Sequence, residues 1–187
     1  MKDKSAKEIL LTAVSLFLIC AVSAGILGVV NSITAPVIKD IQAKAADQAK
    51  AEVLPAAVTF EDLGLAGAEG YAGKDAAGQI VGYVFVTSAS SYGGKLELMT
   101  GIDAEGKVTG INPLTIDDTP GLGMKAKNPD EQAKWIGKSS EIKVIKNGTP
   151  ADDEVVAITS ATITTTAVTN CVNQALALYA QAAGKEA

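Results

Sequence analysis

The stretch from Ile9 to Val30, ILLTAVSLFLICAVSAGILGVV, holds no charged residue. As a helix rising 1.5 Å per residue it reaches about 33 Å, enough to cross the hydrocarbon core of a bilayer. The run is longer than the apolar region of a signal peptide, so an uncleaved anchor is expected; the rival, cleavage, has only the weak small-residue site Ala21-Val22-Ser23-Ala24 in its favour. Lys2, Lys4 and Lys7 precede the run, and the neighbouring Asp3 and Glu8 count little in orientation. The positive-inside rule therefore predicts a cytoplasmic N-terminus, with everything after Val30 outside the cytoplasm. Cys20 within the run reads as a small apolar filler.

The remainder divides into two parts. Pro36 is expected to end or kink the first helix. From Val37 to Leu54 the residues turn to Ala, Lys, Gln and Asp, with Ile41, Ala45, Ala49 and Val53 recurring every fourth position. This pattern predicts a weakly amphipathic helical stalk. The expected organisation is thus a stub and transmembrane helix over 1–33, a stalk over 34–57, and a domain over 58–187.

Strand and turn signals fill that domain. YAGKD-AAG-QIVGYVFVT (71–87) reads as a hairpin, and KLELMTGID-AEG-KVTGINPL (95–114) as a stronger one. Alternation in the second places Leu96, Leu98 and Thr100 on one face. Short strands are expected over Ile142–Ile145 and Val155–Ile158. A helix is expected over Asn128–Ile136, with Pro129 at its first position and Trp135 as a packing residue. The last helix is expected from about Thr165 to Ala182, burying Val168, Cys171, Val172, Ala175, Leu178, Tyr179 and Ala182. The fold class is α+β: one transmembrane helix followed by one extracytoplasmic domain of ordinary size.

Composition removes several kinds of chemistry. The chain has no histidine, which excludes Ser-His-Asp and Cys-His catalysis and every His-ligated metal or haem. Its two cysteines form no CxxC, so no zinc ribbon or Cys-ligated cluster is expected. The net charge of -5 and 4% aromatics argue against a nucleic-acid partner.

Three stretches remain that can carry chemistry. Ser91-Tyr92-Gly93-Gly94 precedes a strand, and its paired glycines permit a sharp turn or a close backbone approach. Asp117-Asp118-Thr119-Pro120-Gly121-Leu122-Gly123 contains a rigid Pro-Gly turn that can present Leu122 outward. Its two aspartates lack the spaced oxygen ligands of a calcium loop, so no metal is expected. The third stretch, ITSATITTT (158–166), is rich in hydroxyls and leads into the last helix. Thr164 and Thr165 can cap that helix, and the hydroxyls have two readings. They can merely cap and turn the chain, or one of them, Thr162 being well placed, can carry a phosphate at the helix N-terminus.

The order SYGGKLELMTGID, DDTPGLGMK, TSAT before a C-terminal helix resembles the covalent FMN-binding domains of bacterial redox complexes. With the N-terminal anchor, nearly the whole chain is similar to the G subunits of Rnf complexes, membrane-bound ferredoxin:NAD oxidoreductases that translocate Na+ or H+. The related C subunits of Na+-translocating NADH:quinone reductases are usually longer. The resemblance implies FMN joined by a phosphoester to Thr162 of Thr159-Ser160-Ala161-Thr162, installed by a separate flavin transferase with FAD as donor. It also implies that Ser160, Ala161, Thr165, the Thr119-Pro120-Gly121-Leu122-Gly123 lip, and Tyr92, Gly93 and Gly94 surround the flavin, with no catalytic residue in the chain itself. Three positions depart from the family pattern. Val156 stands where Asp is frequent, Ser160 where Gly is usual, and Asp118 where Glu is common.

The implied job is electron relay within an oxidoreductase that works as a translocase. Partners would be the other Rnf membrane subunits, including a second flavin-bearing one, with no direct contact with ferredoxin or NAD. Two other readings stay open: a membrane-anchored FMN-binding sensor, and a flavin-free extracytoplasmic scaffold in which the threonines only cap a helix.

Overall fold

A computed structural model describes residues 2–65 and 68–184, with the side chains of 10–38, 45–65 and 68–184. Lys2, Lys4, Lys7 and Ile41, used above for orientation and for the stalk pattern, have side chains outside that set. The chain separates into two units, Met1–Ala45 and Ala46–Ala187.

The first unit is helix throughout, the leading part of α1 (Lys2–Val53). Of the two expectations for Pro36, that it ends the helix is not met: α1 runs through it. Just before the proline, Ser32 and Thr34 donate their hydroxyls to the carbonyls of Val29 and Val30, at 2.8 and 2.9 Å. Such local bonding lets an apolar helix carry hydroxyls without stranding them. Leu10–Ile38, 29 residues, is long and apolar enough to cross a membrane. Consecutive side chains Leu16, Phe17, Leu18 and Ile19 are all exposed, so the helix is apolar around its circumference.

The second unit is built on one antiparallel meander: β1 (Thr59–Asp62), β2 (Glu69–Lys74), β3 (Ile80–Ser91), β4 (Gly94–Asp103) and β5 (Val108–Thr115), in sheet order 1-2-3-4-5. Both expected hairpins are present. The edge strand β1 has no counterpart among the expected strands; it is short, mostly exposed and ends in two acidic residues, so it lacks an apolar alternation. A short parallel pair, β6 (Lys143–Ile145) and β7 (Glu154–Val156), stands apart from the meander. The expected helix over Asn128–Ile136 is reduced to a single α-helical turn, α2 (Pro129–Gln132), with Pro129 in its first turn. A 3-10 turn, Gly123–Lys127, comes before it.

Both faces of the meander are covered. On one lies α3 (Thr162–Ala183), which begins three residues earlier than expected. Leu96 and Leu98 pack with Val168, Cys171, Val172 and the fully buried Trp135, while Tyr83, Phe85 and Ile102 pack with Ala175 and Ala182. Thr87 donates to the Cys171 carbonyl at 3.0 Å, tying sheet to helix. Burial pushes the Cys171 thiol up to about 11, so it stays a packing group at neutral pH.

The opposite face is closed by the last turns of α1. Ala49, Val53 and Leu54 pack on Val84 and Met99. Gly101, paired with Gly110 across β4 and β5, makes this approach possible. A Cβ on Gly101 would sit 2.2 Å from the Val53 oxygen, which no side chain tolerates. Thr109 and Asn112 fasten the same turn through the Val53 carbonyl and the Glu52 carboxylate. The compact unit therefore takes in residues 46–57, which the sequence pattern assigns to a stalk.

Candidate functional site

Three loops meet beyond one end of the meander. The first is the β3–β4 turn, where Ser91 pairs with Gly94 and only Tyr92 and Gly93 lie between. The second follows β5. There Leu122 N–H donates to the Thr119 carbonyl at 3.2 Å, and Gly121 has φ 75 after Pro120, the pattern of a type II turn. The third joins β7 to α3. Ala161 N–H donates to the Ile158 carbonyl at 2.8 Å, and Ser160 occupies the third turn position with φ 64. A type II turn favours glycine at that position. Ser160 is the one non-glycine residue with positive φ among the described residues.

The side chain that unites these loops is Asp118. It is only 4% exposed. One carboxylate oxygen accepts from Gly93 N–H at 2.5 Å; the other accepts from the hydroxyls of Ser91 and Thr164, both at 2.5 Å. Burial by itself would raise the pKa of this carboxyl. The hydrogen bonds from Ser91, Thr164 and Gly93 outweigh that effect and hold it below the ordinary Asp value, so it is ionised at neutral pH. Two glycines admit it. A Cβ on Gly93 would lie 2.1 Å from the Asp117 oxygen, and one on Gly123 would lie 2.6 Å from both Asp118 Cβ and Thr164 Oγ1.

The loops enclose a cavity of about 620 Å³, within the range of cofactor pockets. Tyr92, Asp118, Thr119, Leu122 and the α3 start from Ser160 to Thr164 line it. Tyr92 and Leu122 are 71% and 40% exposed, apolar surface at the cavity that a flat ring can cover. Of the residues singled out from the sequence, Tyr92, Thr119, Leu122, Gly123, Ser160, Ala161 and Thr162 line this cavity; Pro120, Gly121, Gly93, Gly94 and Thr165 belong to the same loops and helix start but do not line it.

The threonines of α3 separate by what their hydroxyls do. Thr164 donates to Asp118, Thr165 to the Ala161 carbonyl at 2.9 Å, and Thr166 to the Thr162 carbonyl at 2.9 Å. Thr165 also accepts from Ile158 N–H at 3.0 Å. Neither Thr164 nor Thr165 is the N-cap, contrary to expectation: Ala161 is, with no side-chain cap. Both lie within the first turn, where their hydroxyls turn back to Asp118 and to the preceding loop instead. Thr162 does not precede the helix but is its first residue. Its hydroxyl has no partner among the described residues, and it lines the cavity beside the unpaired N–H groups of the first turn.

Comparison with known proteins decides the family. The FMN-binding domain model matches residues 91–177, from Ser91 through Asp118 and Thr162. The G subunit of the Na+-translocating ferredoxin:NAD+ oxidoreductase complex of Acetobacterium woodii is 36% identical, the match covering 88% of each chain. The chain belongs to the G-subunit family of ion-translocating oxidoreductase complexes. Another G subunit, from Methanosarcina acetivorans, is 30% identical over 91% of this chain and 94% of its own. The crystal structure of the C subunit of a Na+-translocating NADH-quinone reductase from Parabacteroides distasonis shares the fold, with TM-score 0.53 and 21% identity over 62% of each chain. The chain is thus a G subunit with an FMN-binding domain, and its cavity suits FMN: apolar side chains for the ring, helix N–H groups and a free hydroxyl for the phosphate.

Asp118 and Thr164 form a pair in the cavity wall that sequence reasoning missed. In the sequence Asp118 reads as one acid of a turn and Thr164 as a cap. The pairing joins positions 46 residues apart, a separation that no local pattern reports.

Proposed function

We propose that Thr162 carries FMN through a phosphoester and that this chain relays electrons within a membrane-bound, ion-translocating ferredoxin:NAD+ oxidoreductase. The observation that carries this reading is the hydroxyl of Thr162. Its helix neighbours at 164, 165 and 166 have theirs engaged, while that of Thr162 stays free on the cavity wall. In attachment, the Thr162 oxygen bonds to the FMN phosphorus of FAD, the pyrophosphate bond breaks, AMP leaves, and the hydroxyl proton passes to the medium. A separate flavin transferase supplies the catalysis.

Bound FMN supplies reversible electron uptake. The protein's part is to hold and tune it. The α3 N-terminus, with its N–H groups and positive dipole end, would hold the phosphate. Leu122 and Tyr92 would offer apolar contact to the ring. The α1 span anchors the chain, with its N-terminus in the cytoplasm and the FMN-binding domain outside. There a covalent link prevents loss of the cofactor by dilution. Electrons reach and leave the site through the other membrane subunits, among them a second flavin-bearing one, and the chain touches neither ferredoxin nor NAD.

The test is in-gel fluorescence and intact mass on protein from a host with an active flavin transferase, comparing wild type with Thr162→Val. A fluorescent denatured band and a mass gain of FMN less one water, both lost in the variant, are expected. A dark wild-type band at the unmodified mass would sink the reading.

A further inference from the structure

We propose that the Asp118 carboxylate is a fixed anion in the wall of the flavin cavity that lowers the reduction potential of the bound flavin. The inference rests on the FMN reading above. The geometry and charge of this chain's own residues carry it.

Asp118 faces the cavity and is buried, so its charge is poorly screened by water. No lysine or other cation faces that cavity among the described residues, and the five ion pairs all lie elsewhere. Each of the three groups that bond the carboxylate, Ser91 Oγ, Gly93 N and Thr164 Oγ1, is a neutral donor. They spread the negative charge without cancelling it. The same bonds hold the group ionised when burial would otherwise neutralise it. Both carboxylate oxygens are engaged, one by Gly93 N–H and the other by the two hydroxyls, so the charge is held in place.

A held anion of this kind has a defined effect. One electron added to the flavin without a proton adds one negative charge in the same cavity. Like charges repel, and the repulsion is largest where water is excluded. Reduction becomes less favourable and the potential falls. Asp118 thus acts as a positioning and electrostatic residue and not through contact with the reacting atoms. A purely structural role, joining the three loops, would leave the potential unchanged in any variant that keeps its flavin.

The experiment is a spectroscopic redox titration of full-length protein purified with its flavin, with intact mass reporting flavin content in every sample. Asp118→Asn, a neutral isostere, is expected to titrate at a higher potential than wild type. Asp118→Glu restores the charge and is expected to titrate at a potential near wild type. Thr164→Val, titrated at alkaline pH where a carboxyl that keeps its Ser91 and Gly93 bonds stays ionised, removes one neutral donor while keeping the anion, and is expected to shift the potential downward. A flavin-loaded Asp118→Asn at the wild-type potential overturns the inference. If Asp118→Asn carries no flavin, Thr164→Val decides: a potential that rises or stays put overturns the inference. Loss of flavin from both variants also overturns it, in favour of a purely assembling role. A wild type without flavin overturns the functional reading itself, an outcome that the mass spectrum separates from all the others.

Discussion

The indole of Trp135 donates to the hydroxyl of Thr169 across 3.1 Å, both side chains buried. This bond joins the segment after α2 to the middle of α3, within the main core. Thr169→Val keeps the volume but strands the indole N–H away from water. Leaving such a group unsatisfied costs about 1–3 kcal/mol. A lower denaturant midpoint with an unchanged m-value is expected, and Thr169→Ser should recover most of the loss. An unchanged midpoint in the valine variant would show that water reaches the indole.

Asp118 makes stability depend on pH in the acid range. Its folded pKa lies below the unfolded value of 3.8. The folded state therefore holds the proton less tightly than the unfolded state. The stabilisation is complete above pH 3.8 and is lost as pH falls from there through the folded pKa. Unfolding curves of the domain between neutral pH and acid should show this loss in wild type, with a shallower dependence in Asp118→Asn. Parallel curves for the two proteins would contradict it.

Ser160 sits at φ 64 in a turn position that glycine fills without strain. Ser160→Gly should remove the strain at some cost in unfolded-chain entropy, for a net gain of about 0.5–1 kcal/mol. Ser160→Val, β-branched, should lose more than that. Thermal melts of the flavin-free Thr162→Val background would read both effects apart from any contribution of the cofactor. A destabilised glycine variant would mean that the serine hydroxyl matters more than its backbone.

A fragment beginning at Ala46 should fold cooperatively, because it retains Ala49, Val53 and Leu54 against the sheet. A fragment beginning at Val58 loses that cover and leaves Val84 and Met99 open to water. It is expected to aggregate or to melt without cooperativity. Circular dichroism melts of the two fragments side by side make the comparison. Equal melting curves would show that the α1 end contributes nothing to the core.

Much of this is legible in the sequence, and the reasons differ by element. The hairpins can be read because their strands alternate and their turns end in Gly78 and Gly106, both at positive φ. Trp135 and the apolar face of α3 can be read because large apolar side chains have few other places to go. The continuation of α1 through Pro36 cannot, since proline is a strong local breaker and only the helix as a whole overrides it. β1 has no signal because its residues are mostly exposed and acidic. Of the site, Thr162 is legible from its motif. The role of Asp118 is not, because the burial of an aspartate is decided by what the fold brings over it. Here that is a turn 25 residues before it and a helix 46 residues after it.

The sheet is covered by the last turns of α1 on one side and by α3 on the other. During synthesis the strands emerge between these two helices, so Leu96 and Leu98 meet Val108, Ile111 and Trp135 first and lack the cover of Val168, Cys171 and Val172 until α3 has been made. The same helix brings Thr162 and Thr164, which complete the cavity. A nascent or truncated chain therefore presents an exposed apolar sheet and no finished receptor for the flavin. The cavity and the core are thereby completed by one and the same element, so neither exists without the other.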